Sequence, residues 1–103
     1  MGKKAVLNAL RRFRQALEGQ GVKVTRMVLF GSWAGGRPRE GSDIDVVVVS
    51  EDFAGKTFWE RVVILGDAVY EVFEPIEAVA MTPAEWQSGD SMIVEYARNG
   101  QLV

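Results

Sequence analysis

The stretch FGSWAGGRPREGSDIDVVVVS, residues 30–50, constrains the fold more than any other part of this chain. Ile44 and Val46 to Val49 put five β-branched residues into six positions. Such a segment reads as a strand buried on both faces, so it needs neighbours in a sheet and helices above and below it. At its mouth stand Asp43 and Asp45. Strand side chains alternate, so these two carboxylates point to one side and Ile44 to the other. Their Cα atoms would lie roughly 6–7 Å apart. Two unit charges at that distance repel by about 2–3 kcal/mol at an effective dielectric near 20. Water at a strand end could screen the pair. A divalent cation between the carboxylates would turn the repulsion into attraction, and hard oxygen ligands suit Mg²⁺.

Composition narrows the chemistry. The chain has 103 residues with no cysteine and no histidine. Thiolate metal sites, ordinary zinc chemistry and Ser-His catalysis are excluded, and any metal must sit on oxygen. The formal net charge of -2 argues against a general electrostatic grip on nucleic acid. The N-terminal segment is basic but lacks an unbroken apolar core, so it does not read as a secretory signal. No apolar run approaches the roughly 18–20 residues of a membrane span. A cytoplasmic location is the expectation. The length fits one domain over residues 1–103.

Around the central strand the chain reads as an α/β (α+β) mixture with element order α-β-β-α-β-α. Val6, Leu10, Phe13 and Leu17 mark an amphipathic helix stopped by Gly19 and Gly21. Residues 22–30 read as a strand, with Val24, Val28 and Phe30 on one face. Phe58, Val62, Leu65, Val69 and Val72 mark a second helix, with Thr57 as N-cap and Glu60 completing a capping box. Residues 76–81 form a third strand interrupted by Glu77. Thr82-Pro83, with Glu85 at the third helical position, opens a short helix, and Asp90 or Ser91 opens another that ends at Asn99-Gly100.

Gly31-Ser32 follows the first strand. A glycine turn there lets backbone N–H groups approach an anion, and the Ser32 hydroxyl adds a donor. An anion cradle followed closely by paired carboxylates suits a nucleotide with its metal ions.

The segment Gly31-Ser32-Trp33-Ala34-Gly35-Gly36, five loop residues, then Ser42-Asp43-Ile44-Asp45 and the valine strand resembles the signature of the minimal nucleotidyltransferases of the polymerase-beta superfamily. The resemblance implies the polymerase beta-like nucleotidyltransferase fold, a small mixed sheet with helices packed on it. It also implies roles. Gly31, Ser32 and Ser42 would form the nucleotide side of the site: the first two hold the β- and γ-phosphates of ATP, and Ser42 orients the loop before the first aspartate. Asp43, Asp45 and a third carboxylate would bind two Mg²⁺ ions and carry catalysis. Glu77 is the candidate third acid, with Glu74 as competitor. Many relatives carry a basic residue where Gly35 stands; Arg37 or Arg39 could supply that charge. Trp33 would either cover the nucleotide or pack under the loop.

Minimal members of the family are typically paired with a helical HEPN-type toxin. The resemblance implies an antitoxin that transfers AMP to a tyrosine of that partner, in a homo- or hetero-oligomer. Phe58, Trp59, Trp86 and Tyr96 are aromatic surface compatible with a partner. Two other readings stay open: a binding module that neutralises its partner by contact, and a transferase acting on a small molecule.

Overall fold

In the computed structural model, residues 2–35, 43–89 and 91–103 are described. The order is α1 (Lys3–Gly19), β1 (Arg26–Phe30), β2 (Ile44–Val49), a 3-10 turn (Glu51–Phe53), α2 (Phe58–Val72), β3 (Ile76–Met81), α3 (Pro83–Ser88), α4 (Met92–Ala97) and β4 (Gln101–Leu102). The four strands form one mixed sheet in the order β3-β2-β1-β4. β1 is antiparallel to both neighbours, whereas β2 and β3 are parallel and joined through α2.

The alternation of β2 divides the core in two. Ile44, Val46 and Val48 face α1 and α2, where Val6, Leu10, Phe13, Leu17, Leu65 and Ala68 meet them. Val47 and Val49 face the other way, into a smaller cluster with Val28, Met81 and the α4 residues Val94 and Ala97. All four valines are fully buried. Each side chain removed from water contributes about 1.5–3 kcal/mol, so this strand anchors both layers.

Local signals hold where they rest on local chemistry. Thr57 and Glu60 form a reciprocal capping box, with Thr57 N–H donating to Glu60 Oε1 at 2.7 Å and Glu60 N–H to Thr57 Oγ1 at 3.2 Å. Thr82 and Glu85 repeat it, with Pro83 in the first turn. Ser91 caps α4 by accepting from Ile93 N–H. Asp90, the alternative cap, lies outside the described residues.

Three expectations change. β1 begins at Arg26, not Val22. The Val22 N–H donates to the end of α1 at Leu17 O, and the Lys23 N–H donates to the Asp52 carboxylate, so neither enters the ladder. Val24 accordingly packs in the helix-side core, away from Val28 and Phe30. A fourth strand, β4, pairs with Val28 and Leu29. Gly100 turns the chain back so tightly that a Cβ there would stand 2.9 Å from Val28 Cγ1 and 3.0 Å from Ala97 O. The apolar stripe of α2 is also rotated from the expected one: Leu65, Ala68 and Val72 are buried, whereas Phe58 and Val62 are exposed.

Gly66 sits in the interior of α2, where a Cβ would meet nothing within 4 Å among the described residues. A helical glycine is less favourable than alanine by roughly 0.5–1 kcal/mol. Gly66→Ala is therefore expected to stabilise the isolated protein by about that amount, seen as a higher urea midpoint with unchanged m-value. A lower midpoint would show that the position is packed after all.

Candidate functional site

The candidate site lies at one end of the sheet, where β1 ends and β2 and β3 begin. Asp45 is the second residue of β2, opposite Phe30 in β1 and Glu77 in β3. The alternation that sends Val47 and Val49 into the smaller cluster turns Asp45 to the same side, away from α1 and α2. Asp43 stands just before β2 and is exposed, as is Glu77.

The register also separates the two competing glutamates. Glu77 is the cross-strand neighbour of Asp45. Glu74 lies before β3 and faces Arg12 of α1 at 3.8 Å. Only Glu77 acts on Asp45. Burial raises the Asp45 pKa above the ordinary aspartate value, the Glu77 charge and a hydrogen bond with its carboxyl raise it further, and Asp43 adds a smaller push in the same direction. Among the described residues, no basic side chain offsets these effects.

Gly31 closes the site from β1. Its φ of +73° belongs to the left-handed region, which costs residues with a Cβ energy. A Cβ there would run into Asp45 Oδ2 and stand 3.3 Å from Asp45 Cγ. The backbone turn thus lies directly against the carboxylate. Gly35 N–H donates to Gly31 O at 3.2 Å and folds residues 31–35 into a compact turn, with Ser32 exposed on it. Trp33 is only 7% exposed and packs into the helix-side core, which places it under the turn. Ser42, Gly36, Arg37 and Arg39 lie outside the described residues.

Sequence reasoning missed one support. Lys3 Nζ donates to Trp33 O at 2.9 Å, tying the first turn of α1 to the glycine turn. Arg12 and Arg14 likewise donate to the backbone oxygens of Val72 and Val24. The N-terminal segment reads as basic in the sequence, but the partners of its side chains are remote in sequence. Three of these side chains hold the fold together.

Among the described residues, no three acids stand close enough to hold a metal ion with their side chains as placed. The donor set itself fits a hard divalent cation: Asp43, Asp45 and Glu77 offer carboxylate oxygens alone, and among the described residues negative charge accumulates at Asp45 without a counter-charge. The exposed turn at Gly31 and Ser32 lies beside Asp45.

The fold is a mixed four-stranded sheet with helices packed on it, and a glycine turn is pressed against the strand-borne carboxylate of Asp45. The chain belongs to the nucleotidyltransferase domain family, whose model matches residues 9–98. That span contains Gly31, Ser32, Asp43, Asp45 and Glu77. The fold is also similar to the crystal structure of a candidate nucleotidyltransferase from Sulfolobus solfataricus, with a TM-score of 0.60 and 18% sequence identity over 99% of this chain and 87% of that one. No curated protein matches the sequence. No helix among the described residues is long and apolar enough to cross a membrane.

Proposed function

We propose that this single domain is a nucleotidyltransferase that moves AMP from ATP to a hydroxyl group, most simply a tyrosine of a HEPN-type toxin, and so acts as an antitoxin. The observation that carries the reading is the convergence at Asp45: a cross-strand Glu77, a preceding Asp43, and the Gly31 backbone held against its carboxylate.

In this reading the exposed turn at Gly31 and Ser32 grips the β- and γ-phosphates with N–H and hydroxyl donors. Asp43, Asp45 and Glu77 are the residues that would hold two Mg²⁺ ions, and such ions would supply charge neutralisation for the transferring phosphoryl group. Glu77, on the exposed side of the pair, accepts the proton of the attacking hydroxyl. The acceptor oxygen bonds to the α-phosphorus as its bond to the bridging oxygen breaks, and pyrophosphate leaves. The raised proton affinity of Asp45 matches a site that works only when a cation replaces the proton.

The test is incubation of the purified protein with host lysate, Mg²⁺ and ATP labelled on the α-phosphate. A labelled protein band that disappears with EDTA is expected. A label on the γ-phosphate should give no such band. Mg²⁺-dependent ATP binding without a band would move the acceptor to a small molecule. Neither band nor binding would overturn transfer and leave neutralisation by contact, which the exposed Trp59 and Tyr96 also support.

A further inference from the structure

Helix α2 is apolar around most of its circumference. Its inner face is buried against the sheet through Leu65, Ala68 and Val72. Its outer flank nevertheless exposes Phe58 (69%), Trp59 (72%), Tyr70 (82%) and Phe73 (85%), with Val62 and Val63 between them. Trp59, Val63, Gly66 and Tyr70 are spaced four, three and four residues apart, so they fall in one row along the helix. A groove of about 450 Å³ runs beside this row, where Val62, Gly66 and Val69 face Ile76 and Ala78 of β3. β3 is the outermost strand on that side.

Three further features of α2 find no use among the described residues. Gly66 weakens the helix interior, and the space beside it is open. Asp67 and Glu71 are exposed like charges one turn apart, a pairing that destabilises an isolated helix, and neither has a cationic partner among the described residues. Phe73 ends the helix at φ 59°, a conformation in which glycine or asparagine is ordinary, with its ring in solvent.

We infer that this flank is a docking surface for an amphipathic helix with an apolar stripe edged by lysine or arginine. Each feature then acquires a role. The Gly66 notch lets the incoming helix approach closely. The four aromatic side chains, each about 150–250 Å² in size, leave on the order of 600 Å² uncovered. That is most of the roughly 800 Å² that each partner contributes to a stable interface. Asp67 and Glu71 form an acidic row with Glu60 along the edge of the stripe, and a basic row on the partner relieves their mutual repulsion. Charge also decides against a second copy of this chain. A two-fold antiparallel pairing of α2 sets each acidic row beside its own symmetry mate. The inference does not depend on the transfer chemistry, because none of its residues belongs to the candidate site.

The test uses two synthetic helical peptides with the same leucine stripe, one edged with lysine and its twin edged with glutamate. Each is titrated into the ¹⁵N-labelled protein and followed by amide chemical shifts. The lysine peptide is expected to shift α2 and β3 resonances and to bind at least roughly tenfold more tightly than its twin at low salt. Tyr70→Asp should remove that binding. The double variant Asp67→Lys with Glu71→Lys should reverse the preference; all three positions are exposed, so the fold is expected to survive and is checked by circular dichroism. Absence of shifts on α2, equal affinity for the twins, or shifts confined to another face would overturn the inference. So would self-association that protects α2, which would assign the flank to a second copy.

Discussion

Asp45→Asn is expected to reduce nucleotidyl transfer by on the order of a thousandfold or more, while the protein stays folded. Asn keeps the shape of the side chain but removes the negative charge that makes Asp45 a cation ligand. Transfer at the wild-type rate by a correctly folded variant would remove Asp45 from the site. The same substitution has a second readout, in stability. In metal-free protein the Asp45 carboxyl titrates above its ordinary value of 3.8 because of burial, Glu77 and Asp43. The folded state therefore binds this proton more tightly than the unfolded state. Its contribution to stability is complete below the unfolded pKa and is lost as pH rises through the raised folded value. The wild type should lose stability relative to Asp45→Asn across that window and gain none back above it. Parallel urea midpoints for the two proteins from pH 3.5 to 7 would show that Asp45 carries no such penalty.

Gly31→Ala is expected to damage both fold and function. The added methyl group would meet the Asp45 carboxylate, and the backbone would have to hold φ near +73° with a Cβ in place. Left-handed strain and overpacking together should cost about 2–4 kcal/mol, visible in urea denaturation. Relief by moving either the turn or Asp45 separates the phosphate-facing N–H groups from the carboxylates. Transfer should fall by roughly a hundredfold even in the fraction that remains folded. The control is Gly35→Ala, where among the described residues the added Cβ would meet nothing nearer than Gly31 O at 3.7 Å and φ is ordinary. Equal losses at both glycines would mean that general loosening of the turn, not contact with Asp45, is responsible.

These residues also show how far a sequence can be read. Gly31, Ser32, Asp43 and Asp45 could be named as candidates because they flank a strand whose composition fixes its alternation. Thr57 with Glu60, and Thr82 with Glu85, were legible because a cap involves backbone only three residues away. The position of Glu77 beside Asp45 was only a candidate, since the parallel register of β2 and β3 depends on the packing of α2 between them. The start of β1 was misplaced because the Lys23 backbone finds its partner at Asp52, 29 residues away. β4 carried no periodic signal, being two exposed residues long. Periodicity identified α2 but could not say which apolar flank meets the sheet, and the flank left outside became the more informative one.

The placement of the tryptophans gives the molecule two built-in optical reporters. Trp33 is sealed beneath the glycine turn, whereas Trp59 stands in solvent on α2, 72% exposed. Emission from an indole follows the polarity around it, so the sealed ring should emit to the blue and the exposed ring to the red. Filling the turn would alter the blue component, and covering α2 would shift the red one. In a Trp59→Phe protein the red signal is removed and Trp33, with the half-buried Trp86, remains to be watched. Coverage of α2 is then followed in the wild type and events at the turn in the Trp59→Phe protein, in neither case with an attached dye.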